Sequence, residues 1–153
     1  EWPDTLQVNY EYQVDGEPGR IATYEMRIWT PYDYMGESEG VTLYGDEGYI
    51  VIGNERWHAH AGDGEVLAEG RGSNSGGAHV RNFLDCLRSG RRPNADLETV
   101  GHPSSIMCHA GNVAWKTGKQ LVLDPATETF DDKDASGLRS RAEYRQPWEL
   151  PTV

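Results

Sequence analysis

The sequence predicts an α+β fold, an open and mostly antiparallel β-sheet covered on one face by helices. Three stretches carry that prediction. Residues 5–14 alternate strictly, with Leu6, Val8, Tyr10, Tyr12 and Val14 against Gln7, Asn9, Glu11 and Gln13, the period of a half-buried strand. Residues 41–68 are short apolar runs punctuated by glycine-containing turns, which reads as a meander. Residues 79–118 read as two helices joined by a short polar turn, and their apolar faces need a sheet to cover.

In chain order, turn residues 15–19 lead from the first strand to a second over residues 20–30. It carries Ala22, Tyr24, Met26 and Ile28 on one side and Glu25, Arg27 and Trp29 on the other. The two should form an antiparallel hairpin with one apolar row and one charged, aromatic row. The polar loop 31–40 holds Tyr32, Tyr34 and Met35 and is longer than a hairpin needs; long loops bearing aromatics often line binding sites. Short strands follow at 41–44, 49–52, 56–60 and 66–68, which completes a meander over residues 1–68. Residues 69–78, rich in Gly and Ser, form a flexible linker and the organisational boundary.

In the first helix Val80, Phe83, Leu84 and Leu87 share a face, and Gly90 is placed to end it in the left-handed conformation. Asp96 or Thr99 can cap the second, Pro103 suits its first turn, and Gly118 can end it. Residues 119–153 supply an edge strand at 120–123, a weak polar helix at 131–141 and a proline-rich tail whose Trp148 and Leu150 are expected to dock on a surface. At 153 residues the whole is expected to be one domain.

The formal charge of −11 argues against nucleic acid or an anionic membrane as partner. The charge is uneven: residues 1–70 hold 3 basic and 15 acidic side chains, whereas residues 71–153 hold 11 and 10. That acidic half either faces solvent or meets a basic surface on another chain. Cys86 and Cys108 fall among apolar helix positions and read as small buried hydrophobes, a disulfide remaining possible. No apolar run reaches the ~20 residues of a membrane-spanning helix, and no signal-peptide pattern opens the chain. The sequence starts at Glu1 without Met and so reads as a processed product or an excised piece. The compartment stays open between cytoplasm and export.

Among candidate chemistries, His58 and His60 share a strand face with Asp63 nearby, a spacing that offers a metal two imidazoles and a carboxylate; plain surface histidines are the better-supported reading. His102 stands at a helix N-terminus, where the macrodipole disfavours its cation and a neutral ring can bond a hydroxyl, or simply cap. His109 reads as buried with one hydrogen bond. Glu25, Arg27 and Trp29 suit a sugar-like ligand, an aromatic face for ring C–H groups beside polar bonds for hydroxyls; a solvated ion pair has the same pattern. No Gly-x-Gly-x-x-Gly after a strand, phosphate loop, Gly-x-Ser-x-Gly or zinc-helix motif is present.

Five segments then act together: Tyr44-Gly45-Asp46-Glu47-Gly48; His79-Val80-Arg81-Asn82-Phe83-Leu84-Asp85-Cys86; Arg92-Pro93-Asn94-Ala95-Asp96; Gly101-His102-Pro103-Ser104 with Gly111-Asn112-Val113-Ala114; and Ser140 through Trp148, SRAEYRQPW. As an ensemble covering essentially the whole chain, they resemble the C-terminal domain of bacterial Gfo/Idh/MocA oxidoreductases, relatives of glucose-fructose oxidoreductase and inositol dehydrogenase, of dihydrodipicolinate reductase-like fold. The resemblance implies a two-domain parent in which a preceding Rossmann domain, missing from this chain, binds NAD or NADP. The present domain would line the substrate site and form a homo-oligomer through its sheet. The catalytic lysine of a Glu-Lys-Pro motif would precede Glu1, so no catalytic, cofactor-binding or metal-ligating residue is assigned here, and the isolated chain should be inactive. Similar sequences often carry a histidine where this chain has Met26. The substrate-binding candidates are Arg27, Trp29, Tyr32 and His102. The implied function is substrate binding and oligomerisation in an oxidoreductase acting on a sugar or cyclic polyol. Two alternatives are a domain of a redox-neutral NAD-dependent glycosidase or lyase, and a stand-alone binding or assembly module.

Overall fold

Among the described residues every paired strand runs antiparallel to its partner in one of three open sheets, and helices accompany them, so the class is α+β with open antiparallel sheets. The computed structural model describes residues 2–14, 17–72, 76–140 and 143–148. The chain divides into two compact units, residues 1–91 and 92–153. The division falls after the first long helix and so separates the two helices that the sequence groups together.

In the first unit β1 (Thr5–Val14) and β2 (Glu17–Arg27) form a long hairpin, in register from Thr5 opposite Arg27 to Val14 opposite Glu17. The turn residues Asp15 and Gly16 lie outside the described residues. β2 stops at Arg27, short of the expected residue 30, because its partner strand begins at Thr5; a last bond from the Ile28 N–H to the Asp4 carbonyl closes that end. A four-stranded sheet follows in chain order: β3 (Gly40–Tyr44), β4 (Gly48–Gly53), β5 (Arg56–Ala61) and β6 (Val66–Arg71). Each strand is a residue or more longer than the apolar runs suggested, since the ladder extends into flanking Gly, Arg and Glu positions whose backbone pairs regardless of side chain.

Alternation then sorts this sheet into two faces. Val41, Leu43, Ile50, Ile52, Trp57, Ala59 and Ala68 share one, where Val41 is 56% and Leu43 55% exposed. Thr42, Tyr44, Tyr49, Val51, His58 and His60 share the other, where Val51 is buried. Helix α1 (Gly76–Ser89) ends as expected at Gly90, whose φ of 68° is left-handed. Its apolar stripe, Val80, Phe83, Leu84 and Leu87, is exposed. Linker residues 73–75 are outside the described set.

The second unit opens on a single π-helical turn, Leu97–Gly101, capped by Asp96. The Asp96 carboxylate accepts the backbone N–H of Glu98 and Thr99 and the Thr99 hydroxyl, and the Asp96 carbonyl takes both Val100 and Gly101, the wider loop that defines a π turn. Helix α2 (His102–Thr117) carries Pro103 in its first turn and ends at Gly118 with φ 64°. The expected edge strand shrinks to β7 (Leu123–Asp124), paired with β8 (Thr129–Phe130) across an Asp124-centred turn, and α3 (Lys133–Gly137) packs against α2 and β8. Ala135 on α3 is fully buried.

Burial departs from the sequence reading at the exposed α1 stripe, which that reading expects a sheet to cover, and at Cys108, His109 and Trp148. Cys108 and His109 are exposed, because the inward stripe of α2 is Ile106, Ala110, Val113 and Thr117; Cys86 is buried, and no disulfide joins the two thiols. Trp148 is 68% exposed, its backbone N–H bonded to the Arg145 carbonyl; Leu150 lies outside the described residues.

The Asp96 carboxyl is held below its usual range, first by the Thr99 N–H and hydroxyl and with help from Arg92. A carboxyl whose folded value is depressed stabilises fully above its unfolded value and loses that contribution as pH falls through the lower, folded one. Asp96→Ala should therefore lower the thermal midpoint at neutral pH, and the gap from wild type should close as pH falls below about 4. Thermal melts of both proteins across that range check it.

Candidate functional site

Strand parity puts Glu25 and Arg27 on one face of the β1–β2 hairpin, and Trp29, in the turn just past β2, is tied back to the hairpin at Thr5. The Arg27 guanidinium pairs with Glu25 at 2.7 Å, and the Trp29 indole N–H donates to the Thr5 hydroxyl at 2.7 Å. With its edge tied down, the indole presents its ring, 67% exposed, beside the ion pair. Tyr32, 77% exposed, follows in the loop, and its backbone N–H reaches the Thr30 hydroxyl. Met26 points the other way, into the apolar row with Leu6, its register partner.

His102, the fourth candidate, belongs to the second unit. Its Nε2 lies 2.6 Å from the Glu128 carboxylate, and Glu128 sits in left-handed backbone at φ 54°. Arg139 donates to the Glu128 carbonyl at 2.7 Å, while Asp124 accepts the Ala126 N–H and the Thr127 hydroxyl. Those two bonds hold the Asp124 carboxyl below its usual range and fix the turn that aims Glu128 at the ring. In the neutral ring, a carboxylate partner sets the proton on Nε2 and leaves Nδ1 as an acceptor that can take a hydroxyl hydrogen.

The sequence reading left unassembled a row of rings across the four-stranded sheet. Tyr34 and Tyr44 share a hydrogen bond at 3.2 Å, Tyr44 and Tyr49 lie 5.8 Å apart, Tyr49 stacks on His60 at 4.7 Å and 8°, and His60 meets His58 edge-on. The bond to Tyr34, with some burial, pushes the Tyr44 phenol above its usual range. Cross-strand register was the available signal, since Tyr44 pairs with Tyr49 and Tyr49 with His60. Asp63 does not join the histidines: its carboxylate accepts the Glu65 N–H.

Loop 31–39 is fastened over this sheet. Arg56 donates from Nε to the Glu37 carboxylate and from Nη2 to the Gly36 carbonyl, and Asn54 donates to Glu39. Between Tyr34 and Glu37, bonded both ways, Met35 and Gly36 have φ of 50° and 80°, the signs of a type I′ turn. Methionine is a poor fit to that left-handed position, where Asn is favoured; its sulfur lies 3.9 Å from the hydroxyls of Thr42 and Tyr44. Met35→Asn should raise stability by about 1 kcal/mol, read as a shifted denaturant midpoint at constant m-value.

No protein-family model, curated protein or solved structure matches this chain.

Proposed function

We propose that this chain is the substrate-binding and oligomerisation domain of an NAD(P)-dependent oxidoreductase acting on a sugar or cyclic polyol. One observation carries the reading: the tethered Trp29 ring lies open beside the Arg27–Glu25 pair. An aromatic face gains from packing against ring C–H groups, and the ion pair supplies donors and acceptors for hydroxyls on the same edge. Within the second unit, His102 oriented by Glu128 is a separate hydroxyl-bonding ring.

On this reading NAD or NADP would be held by a Rossmann domain of the parent enzyme, outside this chain. In the turn leading into α2, the Glu98 and Thr99 N–H groups are taken by the Asp96 carboxylate. The chain's own part is therefore to bind and orient, and hydride chemistry is left to the parent enzyme. The exposed apolar sheet face, Val41, Leu43, Ile52 and Trp57, is the surface we assign to subunit contact.

Two outcomes test this. Saturation-transfer NMR with inositol or glucose should show ligand protons against the Trp29 indole, at millimolar affinity for the isolated domain; Trp29→Ala should abolish the effect and Arg27→Ala weaken it about tenfold. A ligand that bypasses Trp29, or none at all, sinks the substrate assignment. Separately, sedimentation should show a dimer that Leu43→Lys converts to monomer, since one charge in the middle of an interface of about 800 Å² per partner leaves a cation unpaired. A monomeric wild type removes the oligomerisation half of the reading and leaves the substrate half standing.

A further inference from the structure

The sharpest polar geometry in the first unit serves none of the roles above. His58 Nδ1 and His60 Nε2 face each other at 2.6 Å across one strand face, and the other nitrogen of His60, Nδ1, lies 3.1 Å from the Gly64 carbonyl. A carbonyl only accepts, so His60 carries its proton on Nδ1 and turns the Nε2 lone pair toward His58. The short contact then needs His58 to donate from Nδ1. Tyr49 stacked on His60 fixes the ring plane. Both rings are half-buried, and Glu69 is the register partner of His58 on the next strand.

Fixing one imidazole nitrogen on a backbone carbonyl so that the other points outward as a lone pair is the usual outer arrangement of a metal-binding histidine. We propose that His58 and His60 bind one borderline transition-metal dication, such as Ni²⁺, Cu²⁺ or Zn²⁺, between His58 Nδ1 and His60 Nε2. The ion takes the place of the shared proton: His58 shifts that proton from Nδ1 to Nε2 through solvent, so both ligands remain neutral imidazoles and no proton is released overall. Two metal–nitrogen bonds of about 2.0–2.1 Å at a right angle hold the donors roughly 2.9 Å apart, a few tenths wider than the present gap, and the rings turn from facing each other to aim both lone pairs at the ion, which sits off the line joining the two nitrogens. No group of three His, Cys, Asp or Glu side chains among the described residues is disposed to hold a metal ion. The site therefore has two protein ligands and its remaining positions belong to water, which favours imidazole-seeking ions over Mg²⁺ or Ca²⁺.

The test uses Ni²⁺ on the whole chain, since it is paramagnetic and does not oxidise the thiols of Cys86 and Cys108. Calorimetry should show one saturable equivalent for Ni²⁺ and none for Mg²⁺, and His58→Gln or His60→Gln should each weaken Ni²⁺ by at least about tenfold. In wild-type protein, amide signals broadened by the ion should centre on residues 58–64, a result that requires no variant to fold. Absence of saturable Ni²⁺ binding, retention of it in the double variant, or broadening centred on His79, His102 or His109 overturns the proposal.

Discussion

The register of β4 against β5 is the constraint on which the first unit depends. Tyr49 opposite His60 and Val51 opposite His58 place the rings on one face, and Ile50 with Ala59 and Ile52 with Trp57 follow on the other. A slip of one residue would exchange the faces, putting the imidazoles among Ile and Val side chains and the apolar set under the loop. Glycine helps hold it. A Cβ at Gly48 would run into the His60 carbonyl oxygen, so the strands approach there closely enough to set His60. The Trp57 indole lies over Gly70 on the next strand, where a Cβ would come within 2.8 Å of its nitrogen.

Hydrophobic burial is thin by comparison. Among the described residues only Val51, Cys86, Val113 and Ala135 are buried apolar side chains, while Val41 and Leu43 on β3, Ile52 on β4 and Val80, Phe83, Leu84 and Leu87 on α1 stand open. Each buried Val, Leu or Phe side chain is worth about 1.5–3 kcal/mol, so these faces hold a driving force for association that the chain leaves unused. Backbone ladders, Asp96, the Asp124 turn and the Lys119–Asp132 pair, which raises the lysine and lowers the carboxyl, do much of the local fixing. The Lys119 contact is on the surface, where such pairs contribute little singly. Together they define each unit's shape while leaving its apolar faces available to a partner.

What the sequence made legible divides along the same line. Gly90 and Gly118 as left-handed helix ends, Asp96 as a cap, Pro103 in a first turn and the strict alternation of residues 5–14 all follow from interactions within a few residues, and each stands in the structure. Cys108, His109 and Trp148 went the other way, because an apolar neighbourhood in sequence does not say which helix face finds a partner. The β7–β8 pairing was half seen, since Thr129 and Phe130 carry no alternation to read over two residues. Of the site, Glu25 and Arg27 on one strand face were readable from parity, but Trp29 falls in the turn past β2, and its Thr5 tether and the Glu128 partner of His102 come from residues 24 and 26 positions away. Met35 and Glu128 in left-handed backbone were not readable either, because neither residue type announces that conformation.

Charge decides what kind of ligand these surfaces suit. Residues 1–70 hold three cations, Arg20, Arg27 and Arg56, and two of them are engaged with Glu25 and Glu37. A phosphorylated or carboxylated substrate would enter a region with twelve more acidic than basic side chains and meet an arginine already neutralised by its neighbour. A neutral polyol meets no such penalty, since its hydroxyls can both donate to Glu25 and accept from Arg27 without breaking the pair's charge balance. The same negative field attracts dications, raising their local concentration around the His58–His60 pair. The cation proposed at the imidazoles and the uncharged ring proposed at Trp29 are both compatible with that one charge distribution.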